Sequence, residues 1–406
     1  VIRPRLQPST DLMLLHSTDT PSASGRMRAA VLADVERIEI QEVPLPEPAA
    51  NEVRVRIRAV GLCGTDLHIY AGHGNYHRDA AGRLVPLAES PQILGHEIAG
   101  EVEALGSAVR DLVVGHRVIV DQGRTCVAEG RSPRCEYCVT GDSHQCEHYR
   151  EHGITGLPGG LAEFIVVPAA NAVPLRSALG WEEAALAEPL GCIVHSCELL
   201  RAAPARYRLD STDPAHRVRT ILVCGTGPAG LLFIQYLRRV LRFDGEILAS
   251  EPNPAKRALA ERFGATGLDP FAGDLAEAVR ERTDGRMAEL LIESSGAGPV
   301  FAAIPRLVRK QATLLLYGHG HAGEELSVMN GVQFLEPTIL TPAGASGGWD
   351  ADLRPATYRR ALQLIEEGTI DVASLITHRY RSLDAVPAAF SGDHERPDYL
   401  KGVVLL

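Results

Sequence analysis

No stretch of 18 uncharged apolar residues occurs in this 406-residue chain. The nearest approach, Leu179–Leu200, is interrupted by Glu182, Glu183, Glu188 and Glu198, so no membrane span is expected. Nor is there a surplus of positive charge. Lys and Arg number 41 against 51 Asp and Glu, a net charge of -10, and such a chain is a poor partner for nucleic acid or anionic lipid. A secretory pattern is also missing. Residues 1–26 lack the basic-then-apolar order of a signal segment and are rich in Ser, Thr and Pro; they read as a poorly ordered extension. Cysteine is sparse, with eight residues, three of which crowd together as Cys135, Cys138 and Cys146. Sparse thiols with one tight cluster argue against a disulfide framework and for a metal site in a reducing compartment. The cytoplasm is the expected location.

What is present divides into two patterns. The first half carries short β-branched runs at 28–32, 37–42, 52–60, 99–105, 117–121 and 163–168, punctuated by Pro, Gly and Asn. Many short strands with frequent glycine predict a barrel-like β domain. From about residue 190 the pattern changes. Apolar strands at 220–224, 246–250, 289–293 and 312–317 alternate with helical stretches at 230–241, 254–263 and 300–308, which predicts βαβ units and a parallel sheet. A helix over 353–367 and strands at 374–380 and 402–406 are expected to fold back onto the β domain.

The string ILVCGTGPAG, residues 221–230, contains G-x-G-x-x-G between an apolar strand and a helix, the context that makes this motif meaningful. Gly225 permits the tight turn, Gly227 lets the backbone approach a pyrophosphate, and Gly230 lets helix and strand pack closely. Pro228 and Ala229 complete the turn, and the N–H groups at the helix start face the phosphates. Glu251, 21 residues past Gly230, ends the next strand. A carboxylate there accepts bonds from ribose hydroxyls and repels a 2′-phosphate, favouring NAD over NADP. Lys256 follows, with Arg257, and leaves room for NADP. Tyr317 and Gly318, closing a later strand, are further candidate cofactor contacts.

A second set of strings carries metal-ligand chemistry: GLCGTDLH at 61–68, GHE at 95–97 and AEPL at 187–190. Cys63 and His96 offer a thiolate and an imidazole, Glu97 follows directly, and Glu188 is an acid in an apolar stretch. Catalytic zinc takes such ligands and keeps one position open. Taken singly, each has a plain structural reading, since buried cysteine is common and usually inert.

In this order, with a cysteine-rich lobe before AEPLG and GTGPAG after it, the strings resemble the zinc-dependent medium-chain dehydrogenase/reductase (alcohol dehydrogenase) superfamily, over about residues 27–406. The branch of threonine, sorbitol and polyol dehydrogenases is the most similar. The resemblance implies an α/β protein with a GroES-like β-rich catalytic domain, residues 27–190 plus 344–406, and a Rossmann NAD-binding domain, residues 191–343. It implies a catalytic zinc held by Cys63, His96, Glu97 and Glu188, a proton relay through Thr65 and His68, with Glu97 acting at the metal, and Asp66 orienting the histidine. It also implies a homodimer or homotetramer.

Relatives hold a second zinc with four cysteines spaced C-x2-C-x2-C-x7-C. Cys135, Cys138 and Cys146 match the last three positions, while the first is Ser132. Cys126, looped back, is expected to complete a four-cysteine structural site; His144 is another candidate, and a metal-free lobe is the alternative. The long stretch 71–90 brings His73, Asn75, Tyr76, His77 and Arg78 either to the substrate cleft or to a solvated surface loop. The expected activity is zinc-dependent, NAD-linked oxidation of a secondary alcohol: a polyol, amino-polyol, sugar or hydroxy amino acid. A reductase of simple aldehydes or ketones, and a catalytically silent NAD-binding protein, are the competing readings.

Overall fold

The strand Thr220–Cys224 is buried at all five positions, as a strand covered on both faces must be. It lies at the centre of a six-stranded parallel sheet in the computed structural model, which describes residues 25–319 and 327–406. The order across this sheet is Thr266–Leu268, Glu246–Ser250, Thr220–Cys224, Ala288–Glu293, Val308–Leu316, Thr338–Leu340. In chain order these strands run 3-2-1-4-5-6, so the direction of winding reverses between Thr220–Cys224 and Ala288–Glu293. Ligand crevices in open α/β sheets form at such a reversal, beyond the carboxyl ends of the strands. Two of the six, Thr266–Leu268 and Thr338–Leu340, are three-residue edge strands that the periodicity did not predict. The helix expected over 230–241 is α-helical at Pro228–Gln235 and then widens into one π-type turn at Tyr236–Val240.

The remaining strands are mostly antiparallel. A seven-stranded sheet runs Ala172–Pro174, Arg117–Val120, Glu97–Leu105, Glu52–Gly61, Lys401–Leu405, Ile376–Tyr380, with Phe164–Pro168 also pairing to Glu52–Gly61. A smaller sheet joins Arg37–Pro44, Arg26–Asp34 and Gln92–Ile93. The expected extension over 1–26 lies outside the described residues except for its last two; Arg26 already opens the first strand. The return of the tail is antiparallel, with Val403 opposite Gly61 and Leu405 opposite Ala59.

The apolar run at 179–200 becomes two helices, Trp181–Ala185 and Ala187–Ala202. The second is apolar on nearly every face because it is wrapped, its buried residues forming one core with Ala59, Ile119, Val223, Leu231, Tyr358 and Leu362. That core joins both kinds of sheet. No described helix is long and apolar enough to cross a membrane.

Candidate active site and cysteine lobe

Strand register assembles the first cluster. Gly61 pairs with Glu97 where Glu52–Gly61 meets Glu97–Leu105, so Cys63, two residues past one strand, arrives beside His96, just before the other. The ligand atoms of Cys63, His96 and Glu97 lie within 4.8 Å of one another. Asp66, fully buried in helix Gly64–Tyr70, locks this corner. Its Oδ2 accepts from the Cys63 N–H at 2.9 Å, its Oδ1 accepts from the Gly95 N–H at 3.1 Å and sits 3.4 Å from His96 Nδ1. Asp66 thus faces Nδ1 of His96, which makes no hydrogen bond among the described residues, and leaves Nε2 as the nitrogen for the cluster. Burial opposes a charge on His96, but Asp66 and Cys63 outweigh it and raise its pKa well above the usual imidazole value.

Glu97 is buried, and its Oε1 accepts from Lys401 Nζ at 2.5 Å. Its Oε2 has no hydrogen-bond partner among the described residues. A Cβ on Gly61 would stand 2.0 Å from that oxygen, so only glycine leaves space for the carboxylate. An orphaned buried oxygen next to a thiol and an imidazole is what a soft-to-borderline divalent cation such as zinc would satisfy. Glu188, on helix Ala187–Ala202, stands beside this cluster but outside it. Burial raises its carboxyl to about 7, with His96 pulling down and Glu97 pushing up.

Thr65 Oγ1 lies 3.7 Å from Cys63 Sγ. His68 is half-buried, and burial, then His73 and His319, lower its pKa. No hydrogen bond joins Thr65 to His68 among the described residues. The 71–90 stretch closes largely on itself. Asn75 Nδ2 donates to Val85 O at 2.8 Å, Asn75 Oδ1 accepts from the His77 N–H at 3.0 Å, and Arg78 Nη1 donates to Gly82 O. His73, Tyr76 and Arg78 are exposed. His77 packs on Gly156, and its Nδ1 has no partner among the described residues.

At the glycine turn, Gly225 takes φ +86° and Gly227 caps helix Pro228–Gln235 with Pro228 in its first turn. A Cβ on Gly227 would meet nothing within 4 Å, whereas one on Gly230 would stand 2.0 Å from Gly225 O. The two glycines thus serve the open approach and the close packing respectively. Ala229 follows in the same first turn. Glu251 is buried at the carboxyl end of Glu246–Ser250, where Oε2 accepts from the Thr226 N–H at 2.8 Å and Oε1 from the Asn253 N–H at 2.9 Å. Oε2 also accepts from the Thr226 hydroxyl at 3.2 Å, so Oε1 is the oxygen that retains a lone pair for a further donor. Arg257 is turned away, bonded to Glu251 O and Pro252 O and paired with Asp269; Lys256 has no ion pair among the described residues. Tyr317 and Gly318 both donate N–H to Glu293 O at 2.8 Å, and the Tyr317 ring stands edge-on to Phe233.

The lobe brings four sulfurs together: Cys126, Cys135, Cys138 and Cys146, mutually within 4.8 Å. Cys126 reaches them because it follows the strand Gly123–Arg124, which pairs with Arg150–Glu151 just past Cys146; the two sulfurs are 3.6 Å apart. Ser132 is exposed and takes no part. His144 also stays out. It stacks on Tyr149 at 4.8 Å, with Nε2 4.0 Å from Asp121 Oδ1, and burial lowers its pKa to about 3. Burial pushes the Cys135 thiol up, yet backbone N–H groups of Cys138 and Glu147 outweigh it and leave it at about 7. Four converging thiols suit a closed tetrahedral zinc site.

Residues 49–177 match the alcohol dehydrogenase GroES-like domain family, and residues 228–367 the zinc-binding dehydrogenase family. L-threonine 3-dehydrogenase of Pyrococcus abyssi is 30% identical over 355 residues, 87% of this chain and 90% of the relative. The chain belongs to the zinc-dependent medium-chain dehydrogenase/reductase superfamily. Sorbitol dehydrogenase of Bacillus subtilis is 28% identical, over 93% of this chain and 97% of that one. A Sinorhizobium meliloti protein of the zinc-binding dehydrogenase class, solved bound to NADP, superposes with TM-score 0.75 at 29% identity, over 94% and 99% of the two chains. This medium-chain dehydrogenase is therefore an oxidoreductase that uses zinc and NAD(P). Its site also contains residues that the motifs did not reveal: Lys401, Gln122, Cys192 and Tyr358. Only Lys401 carries a visible signal, a lone cation opening the apolar run KGVVLL.

Removing a lobe thiol separates scaffold from chemistry. Cys135→Ala is expected to lower the thermal midpoint by several degrees, since structural zinc contributes folding free energy, while turnover per folded molecule changes less. Calorimetry beside active-site-normalised rates checks this; an unchanged midpoint means the lobe does not rely on metal.

Proposed function

We propose that the enzyme oxidises a secondary alcohol of the polyol, amino-polyol, sugar or hydroxy amino acid kind to the ketone, with NAD as acceptor. One observation carries the reading. Tyr317, beyond the carboxyl end of a parallel strand, is half-buried, and its ionisation is opposed, after desolvation itself, by Cys192, Glu188 and Cys63. This supports a cofactor crevice that adjoins the Cys63–His96–Glu97 cluster, as hydride transfer between them requires.

Cys63, His96 and Glu97 would hold the catalytic zinc, with Glu188 adjoining, and Cys126, Cys135, Cys138 and Cys146 the structural one. Bound there, zinc would supply Lewis-acid polarisation of an alcohol oxygen, and NAD would supply a hydride acceptor. Asp66 fixes the His96 ring. Thr65, whose hydroxyl lies beside Cys63, takes the substrate proton, and His68 receives it; burial keeps His68 neutral near pH 7 and thus able to accept. The N–H groups at Gly227, Pro228's neighbour Ala229 and Gly230 receive the pyrophosphate. Glu251 uses the remaining lone pair of Oε1 on the ribose, with Lys256 at the rim and Tyr317 and Gly318 at the nicotinamide end. Arg257, engaged by Asp269, gives a 2′-phosphate little help.

We also propose that residues 27–190 plus 344–406 form the catalytic domain and 191–343 the cofactor domain; helix Ala187–Ala202 spans the first junction and serves both. Eight free cysteines support a cytoplasmic location. The exposed Ile339 on edge strand Thr338–Leu340 supports pairing into a homodimer or homotetramer.

A panel of polyols, aminocyclitols, sugars, L-threonine and simple alcohols, followed by NADH absorbance, tests the reading. Turnover is expected with a hydroxylated secondary alcohol, with kcat/KM for NAD roughly 10-fold or more above that for NADP, since repulsion of a phosphate by one carboxylate is worth on the order of 1–2 kcal/mol. Activity confined to reduction of simple carbonyls, or preference for NADP, would overturn it.

A further inference from the structure

Glu188 is held by one oxygen. Its Oε1 accepts from Gln122 Nε2 at 3.1 Å and from Cys192 Sγ at 3.4 Å, while no hydrogen bond to Oε2 exists among the described residues. Gln122 is itself fixed: the Tyr358 hydroxyl donates to its Oε1, so the amide must present Nε2 to the carboxylate. Both Gln122 and Tyr358 are essentially without exposure. Their backbones are anchored independently. Gln122 O accepts from the His152 N–H at 2.9 Å, ahead of the Gly123–Arg124 ribbon. Tyr358 sits on helix Ala356–Glu366, which packs against the Glu188 helix.

Gln122 and Tyr358 lie on separate elements, and through the Gln122 amide both act on one carboxylate that stands next to the Cys63–His96–Glu97 cluster without entering it. We propose that Gln122, oriented by Tyr358, is a positioning residue that restrains Glu188 outside the metal cluster and so keeps a position there open for the substrate oxygen. An amide on a phenol is a restraint that neither hydrophobic packing nor a salt bridge would supply: it is directional, and it engages only one of the two oxygens. Cys192, a weak donor, assists from the same helix one turn away. The inference rests on the proposed role of Cys63, His96 and Glu97 as metal ligands.

The test exchanges catalytic zinc for Co²⁺ and reads the visible d–d bands of full-length wild type, Gln122→Leu and Tyr358→Phe, together with steady-state kinetics. Both variants are expected to alter the band positions or intensities, as Glu188 moves relative to the metal. Gln122→Leu is expected to lower kcat/KM for the alcohol by about 10- to 100-fold, the usual effect of losing a partner that orients a ligand, with KM for NAD unchanged. Tyr358→Phe, which keeps the ring and removes only the hydroxyl, gives a smaller change in the same direction and serves if Gln122→Leu does not fold. Cobalt spectra and alcohol KM identical to wild type in the folded variants overturn the restraint. Absence of any cobalt spectrum in the wild type would instead overturn the metal assignment itself.

Discussion

Cys63→Ser is expected to abolish turnover, lowering kcat/KM by at least ~10³-fold, because Lewis-acid assistance is worth several kcal/mol and each 1.4 kcal/mol is about a factor of ten. Serine is close in size to cysteine, but its hydroxyl stays neutral and is a poor zinc ligand beside a thiolate. The local frame should survive. The bond from the residue-63 N–H to Asp66 Oδ2 is made by backbone, and helix Gly64–Tyr70 does not depend on the sulfur. NAD binding should therefore remain within a few-fold of wild type, since the Gly225–Gly230 turn lies on a separate sheet. Metal analysis should show one zinc fewer per chain, and nucleotide-fluorescence titration should show an unchanged Kd. A serine variant that retains turnover would remove Cys63 from the chemistry; one that loses NAD binding as well would make it a folding residue.

The second large effect concerns Lys401. Its Nζ is the partner of a carboxylate with no exposure. Burial disfavours the ammonium, but Glu97 and then Cys63 more than offset this and raise its pKa. Breaking a buried ion pair from one side typically costs about 3–5 kcal/mol, because the remaining charge is left without compensation. Lys401→Met preserves length and apolar volume, so it isolates that electrostatic loss. A thermal midpoint roughly 5–10 °C lower is expected for a chain of this size. Adding Glu97→Gln to Lys401→Met should recover part of the loss, because the second change removes the stranded charge. Additive loss in the double variant would mean the two side chains do not stabilise each other.

How far the sequence carried depended on whether a feature was local. The strings around Cys63, His96 and Gly225–Gly230 can be read directly because their chemistry demands neighbouring residues: Asp66 must follow Cys63 closely to bond its N–H, and Gly230 must sit one turn beyond Gly225. The strand at 220–224 was legible because burial on both faces leaves an unbroken apolar run. Cys126 was legible only through thiol counting, since what delivers it is a two-residue ribbon too short to have a period. His144, an open alternative for the lobe, sits near it in sequence but points to Tyr149 and Asp121. Gln122, Cys192 and Tyr358 were invisible for a different reason. Gln122 bonds Glu188 from a distant element, Cys192 bonds it from the same helix, and Tyr358 acts through Gln122, 236 positions away in the chain; a buried Gln or Tyr has no motif. The stretch 71–90 shows the converse limit. Its polar residues could have faced substrate, yet Asn75 is consumed in closing the loop on Val85.

The pairing of Glu97 with Lys401 has a consequence for how the protein matures during synthesis. Every ligand of the proposed catalytic cluster emerges from the ribosome before the first strand of the parallel sheet, whereas the ammonium that neutralises Glu97 emerges after the last. The nucleotide-binding half can thus be complete while the strand Glu52–Gly61 still lacks its neighbour Lys401–Leu405 and Glu97 still lacks its countercharge. Nascent chains with residue 401 still inside the exit tunnel should bind nucleotide while Glu97 has no ammonium beside it, a state that nucleotide binding to stalled chains would reveal.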